Sequence, residues 1–362
     1  MKFWSILLCI WLFACQSNDN QTREHIKSTT RYAKHFQLFE YQNHQIIHVL
    51  NPKTNKLEKK IWISDHLPQS TNESYIYIQP HQVKLCPMAS SHIGMLNRIE
   101  VLDRVSALPS QNYLDNVILK KAIQHGKILE VGFENQLQLE KLLRSNTNLI
   151  SYSGFGTEFP QESKLKKLGV LTIQNYDWEE LNPLGRAEWI LFFGALTGKL
   201  NEAKNEFQHI ERNYLHQVKR AKRYRYKKEV ISGNLVGDVW YLPAGQSYAA
   251  QLFKDAQIRY RYEKKKGTGS IALSLEEILK NHRHTNIWLN PGVASKKALA
   301  LINPKLKHLK AFQNNQIYCY SHRMNFYWEN ASLMPDRILS DYIEICHGRG
   351  NKVLYFYKKI KP

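Results

Sequence analysis

The sequence predicts an α/β fold of two lobes, each built on a mainly parallel sheet and joined by one long rigid interlobe helix. Three observations lead there. Short β-branched and aromatic runs alternate with stretches of helical periodicity, the pattern of helices packed on parallel strands. From Asn182-Pro183 onward, Trp189, Phe193, Leu196, Leu200, Ala203, Phe207, Ile210, Tyr214 and Val218 recur three or four positions apart. Residues 139–151 (LEKLLRSNTNLIS) are echoed by residues 275–289 (LEEILKNHRHTNIWL). Each copy reads Leu-Glu, amphipathic helix, Thr-Asn, strand, and then a loop bearing Gly154 or Gly292. With 362 residues the chain can bury a core in each half.

The chain opens on an export signal. Lys2 gives a positive start, and Phe3 to Phe13 is an apolar run too short to cross a bilayer, so residues 1–14 read as a signal peptide. The run ends in Leu12-Phe13-Ala14-Cys15, which resembles the lipobox of bacterial lipoproteins and implies acylation of Cys15. Residues 15–30 are rich in Asn, Gln, Ser and Thr, as a flexible tether should be. The expected location is the bacterial cell envelope, lipid-anchored, either periplasmic or associated with the outer membrane.

The N-terminal lobe is expected over residues 31–182. Phe36 to Leu50 reads as a strand or hairpin, and Tyr75 to Ile78 as a short strand. Met88, Ile93, Leu96 and Ile99 mark a helix over residues 88–102. Leu114–Gln124 and Gln138–Arg144 are further helices, and Asn148–Tyr152 is a buried strand. Asn182 suits an N-cap and Pro183 the first helical position, so one helix is expected from Pro183 to about Lys222, roughly 60 Å at 1.5 Å per residue. Residues 183–223 would form a strut between lobes. The C-terminal lobe, residues 224–362, alternates again: a strand at Val230–Asn234, helices begun by Ser247 and Ser274, a strand at Ile287–Leu289, and a late helix at Pro335–Cys346 closed by Gly348.

The formal charge is +20, from 51 basic and 31 acidic residues. Lys219–Lys228 and Arg259–Lys266 carry the densest clusters. Two readings compete there: a nucleic-acid surface, or a solvated helix end and hairpin. Export favours the second, so nucleic acid is not an expected partner. Five cysteines are present without metal-ligand spacing. Once Cys9 is cleaved away and Cys15 acylated, Cys86, Cys319 and Cys346 remain, as buried thiols or with a disulfide between the last two. No GxSxG, HExxH, Walker or zinc-type pattern occurs, so no catalytic residues, resident cofactor or metal are expected.

Several segments, in order, resemble the solute-binding proteins of ABC importers for iron-siderophores and cobalamin, in lipoprotein form. These are residues 88–108, 126–132 (GKILEVG), 138–156, 183–193 (PLGRAEWILFF) and 333–346 (LMPDRILSDYIEIC). The resemblance spans about residues 75 to 348; the long N-terminal extension and the tail with Val353–Tyr357 lie outside it. It implies a monomer that holds a metal chelate between its lobes, such as a ferric siderophore, haem or cobalamin. It also implies a permease dimer as partner, met by Glu140 and Glu276 at the matching Leu-Glu positions. The competing reading is an exported enzyme or a surface-binding lipoprotein on the same scaffold.

A cleft ligand calls for aromatic walls and a few aimed polar groups. Four loops supply candidates. Ser91 and His92 open the first helix, where amides could receive an anion or where the side chains could simply cap. Phe155 lies in a glycine-rich loop near Tyr176 and Trp178. Trp240 and Tyr241 precede Pro243 and Gly245. Arg323, or His322, precedes Tyr327 and Trp328 and could meet a ligand carboxylate.

Overall fold

The computed structural model describes residues 27–362 except 67, 69, 71, 73, 155–157, 226 and 349–351. The signal, the lipobox with Cys15, and Phe155 therefore lie outside the described residues.

The first lobe centres on a parallel sheet of Leu85–Pro87, Leu149–Ser153 and Leu171–Asn175, in that spatial order. A short parallel pair, Ala107–Leu108 with Leu129–Glu130, continues it on one side. The second lobe carries five strands in the order Arg259–Tyr260, Glu229–Ser232, Ile287–Leu289, Ile317–Cys319, Lys358–Lys359. All pair in parallel except the last. The echoed segments occupy corresponding places. Leu139–Arg144 leads into Leu149–Ser153, and Leu275–His282 into Ile287–Leu289. Each strand lies inside its parallel sheet, with a neighbour on both sides. Ile287–Leu289 is apolar throughout, and Leu149–Ser153 is buried through Tyr152 with Ser151 as its one polar interior residue, as expected of strands covered on both faces.

Two smaller sheets are additions. Phe36–Glu40, Gln45–Leu50, Leu57–Ile63 and Tyr75–Ile78 make an N-terminal sheet, a meander whose last strand joins in parallel. Asn234–Val236, Val239–Pro243 and Ser270–Ser274 form an antiparallel sheet over the second lobe. The expected Val230–Asn234 strand is thus two strands. Gly233, at φ +96°, separates them, and a Cβ there would meet the Tyr241 carbonyl oxygen at 1.9 Å. In the tail, the Asp341 carboxylate takes the backbone N–H groups of Tyr355, Phe356 and Tyr357, and Lys358–Lys359 then adds the last strand of the second-lobe sheet.

The single helix expected from Pro183 does not form. The segment folds as Pro183–Glu188, Ile190–Leu196 and Leu200–Ala221. Asn182 caps the first as expected, its Oδ1 accepting from Leu184 N at 2.9 Å. The chain turns at Trp189 and again at Gly198, whose φ of +72° ends the second helix. Gly194 permits the fold-back, since a Cβ there would lie 2.5 Å from Ala203 Cβ. The two short helices are buried core. The spanning role falls to the 22-residue helix Leu200–Ala221, about 33 Å long. Its first half meets first-lobe and extension residues through Lys204–Glu40 and Arg98–Glu206 ion pairs at 2.5 Å each. Its second half meets the second lobe, where Tyr214 donates to Asp255 at 2.6 Å and Arg220 faces Glu344 at 3.8 Å. One continuous core follows this segment through both halves, and a smaller one underlies the first-lobe sheet. Cys86, Cys319 and Cys346 are free and buried.

Candidate functional site

The parallel strands of both lobes aim their C-terminal ends at one another, the position where open α/β sheets bind ligands. Past Leu171–Asn175 comes the turn Asp177–Glu179; past Glu229–Ser232 comes Gly233; past Ile287–Leu289 comes Asn290; past Ile317–Cys319 comes Tyr320. These ends enclose a cavity of about 880 Å³. That lies within the roughly 300–1,000 Å³ of small-molecule sites.

Its walls are aromatic. Trp178 comes from the first lobe, Tyr241, Tyr248 and Tyr320 from the second, and Tyr327 and Trp328 from the helix Met324–Asn330, which packs on the first-lobe helix Ser90–Arg98. Trp178, Tyr241 and Trp328 are exposed, at 37%, 42% and 49%. Trp178 is held by its Nε1, which donates to the Gly154 carbonyl at 3.2 Å. Tyr320 and Tyr327 stack with centroids 3.7 Å apart, and Trp328 meets both edge-on. Burial pushes the Tyr320 phenol up to about 12.

Among the described residues, one cation lines this cavity, Arg186. Its Nε donates to the Asp177 carbonyl at 3.0 Å and its Nη2 to the Trp178 carbonyl. Its guanidinium lies 4.0 Å from the centroid of Tyr248, a second-lobe ring. Arg186 is therefore fixed by main chain on one lobe and an aromatic face on the other, and its orientation is set before any ligand arrives. Around it are polar atoms with no partner among the described residues: Tyr248 Oη, Ser232 Oγ, Asn290 Oδ1, Ser332 Oγ and Asp177 Oδ1. Glu180 also lines the cavity but is spent elsewhere. Its Oε1 accepts from Lys34 N, His35 N and Trp189 Nε1, while desolvation raises its pKa. With Asp177 and Glu179 present as well, the lining is less basic than the chain as a whole.

Of the sequence-derived candidates, the cavity gathers Ser91, Trp178, Tyr241, Tyr327 and Trp328. Four others are corrected. His92 is wholly buried, with Nδ1 at 3.1 Å from Ser151 Oγ and Nε2 at 3.9 Å from Asp177 Oδ1; burial lowers its pKa, against the opposing pull of Asp177. Tyr176 is buried and donates to Glu58 at 2.7 Å. Trp240 is buried because strand alternation turns it opposite to Tyr241, and its Nε1 donates to the Ser232 carbonyl at 2.9 Å. Arg323 is exposed outside the cavity lining, over Phe326 and 3.8 Å from Asp115. Glu140 and Glu276 sit exposed in the first turns of corresponding helices, Glu276 at 3.5 Å from Lys305.

Arg186 and Tyr248 were missed. Nothing in the sequence set Arg186 apart from Glu188, charged on the same turn, which the fold buries and spends on backbone N–H groups instead. Tyr248 follows the capping residue Ser247, a position ordinarily read as helix surface.

The family model for periplasmic binding proteins matches residues 107–323, more than half of the chain. An uncharacterized lipoprotein of Methanocaldococcus jannaschii is 25% identical over 94% of this chain and 88% of its own length. Among solved structures, the periplasmic heme-binding protein of Vibrio cholerae superposes with a TM-score of 0.57 at 15% identity, over 72% of this chain and 98% of that one. The triscatecholate siderophore-binding protein of Bacillus subtilis, complexed with ferri-bacillibactin, does so with a TM-score of 0.53 at 17% identity, over 74% and 93%. These structural likenesses establish the fold.

Proposed function

The chain belongs to the periplasmic binding protein family, and from that premise we propose that it captures an anionic metal chelate between its lobes and delivers it to an ABC permease. The ligand class is an iron complex, a ferric siderophore or haem, or cobalamin. The observation that carries this reading is Arg186, held rigidly among aromatic rings in the cavity wall. Flat or ring-bearing ligands gain from stacking on Trp178, Tyr241 and Trp328, and a carboxylate or catecholate oxygen gains a charge-assisted hydrogen bond from a guanidinium already in place. Glu140 and Glu276 serve as docking points for the permease, and acylated Cys15 as the anchor. The name lipoprotein on a relative spanning nearly the whole chain supports the anchor.

A thermal-shift screen of the mature chain against haem, ferric catecholates, ferric hydroxamates and cobalamin tests the assignment. A true ligand at one hundred times its Kd adds about 2.7 kcal/mol of stability. A clear rise in Tm with one chelate class supports the reading; no response to any of them, metal-loaded, ends it.

A further inference from the structure

The basic run after the long helix acquires a place in the fold. Lys219, Lys222, Arg223, Arg225, Lys227 and Lys228 are all exposed. None of the six makes an ion pair among the described residues. Only Lys219, in the last helical turn, is accounted for by the helix dipole; the others lie past the end of Leu200–Ala221. They sit at the N-terminal edge of the second-lobe sheet, where Arg259 N donates to the Lys228 carbonyl; Arg259 itself is paired with Glu229 at 3.5 Å and only borders the patch. The cavity lies at the opposite, C-terminal edge of the same strands.

The same helix receives the start of the described chain. Arg31 pairs with Glu211 at 2.7 Å, and Thr29 and Arg31 line a groove with Lys204, Gln208 and Arg212. Lys219 lies eight residues beyond Glu211, about 12 Å along the helix. Eleven residues separate Cys15 from Lys27, which span about 40 Å at most. An acyl chain on Cys15 would keep this face near the bilayer at high effective concentration.

We propose that the six exposed cations Lys219, Lys222, Arg223, Arg225, Lys227 and Lys228 form a contact surface for an anionic lipid bilayer. Unpaired cations near such a surface are attracted to it individually, within about a Debye length and in a salt-dependent way. The inference concerns a face away from the cavity and stands apart from the identity of the chelate.

Lysine acetylation footprinting of the full mature chain tests it, with vesicles of phosphatidylcholine alone or mixed equally with phosphatidylglycerol. The expected result is that Lys219, Lys222, Lys227 and Lys228 react at least about threefold more slowly with the anionic vesicles, that about 0.5 M salt abolishes the difference, and that Arg223→Glu with Arg225→Glu reduces it. Both arginines are exposed, so the fold and chelate binding should be unaffected. Equal reaction with both vesicles overturns the proposal. So does protection confined to Lys264–Lys266, which flank the cavity-lining Thr268–Ser270, or protection by DNA but not by vesicles, which would assign an acidic polymer instead.

Discussion

Arg186 and His282 illustrate how a charged or titratable group becomes useful once the chain has fixed its surroundings. Replacing Arg186 by Ala removes a charge-assisted contact and should weaken chelate binding by about 2 kcal/mol, roughly thirtyfold. Arg186→Lys should recover part of that, since the charge persists and the fork is lost. Isothermal titration would measure both, with an unchanged far-UV circular dichroism spectrum as the control for folding. His282 is buried, with Nδ1 at 3.1 Å from Thr285 Oγ1 and Nε2 at 3.1 Å from Tyr262 Oη; burial lowers its pKa to about 4. The unfolded chain binds the proton first, near pH 6.5, so this group's contribution is complete above that value and is lost as pH falls towards 4. Between pH 7 and 5 the loss is about 2 kcal/mol. Urea unfolding at the two pH values should show it, and His282→Gln should shrink the difference. The residue scale was also where sequence reasoning erred most. Loops bearing aromatic pairs were legible as sites, but which member faces the cavity depends on local phase. Tyr241 and Trp178 point in, while Trp240 and Tyr176 are core.

Among the elements, the extension outside the family match is tied down by two carboxylates from the hinge. Glu188 accepts the backbone N–H of Arg31, Tyr32 and Ala33 at 2.7–2.8 Å, and Glu180 those of Lys34 and His35 at 2.8 and 3.0 Å. Desolvation raises the pKa of Glu188, which the three N–H donors oppose. Glu188→Ala orphans those donors and should cost about 3 kcal/mol or more in urea unfolding, with faster amide exchange at residues 31–33. An unchanged midpoint would show that the extension is not clamped there. The broken helix has a related origin. Trp189–Leu196 is apolar at every position and wholly buried, whereas a solvent-exposed strut needs a polar face. Periodic spacing of its aromatics masked that, and only Leu200–Ala221 alternates exposed and buried residues as a strut should. The strands and caps were easier to read: Tyr75–Ile78, Ile287–Leu289 and the Ser247 and Ser274 caps form where turn chemistry and β-branching placed them.

For the whole molecule, the C-terminal ends of two mainly parallel sheets face each other across the helical segment Pro183–Ala221 and make the cleft. Exposed tryptophans in the cavity wall, Trp178 and Trp328, turn ligand capture into an optical signal. The most direct test titrates the mature chain with the chelate selected by thermal shift while following tryptophan fluorescence. The account predicts saturable quenching at one ligand per chain, largely lost in Trp178→Phe with Trp328→Phe and shifted to higher concentration in Arg186→Ala. Quenching that persists in the double variant, or an affinity indifferent to Arg186, would place the ligand elsewhere and contradict it.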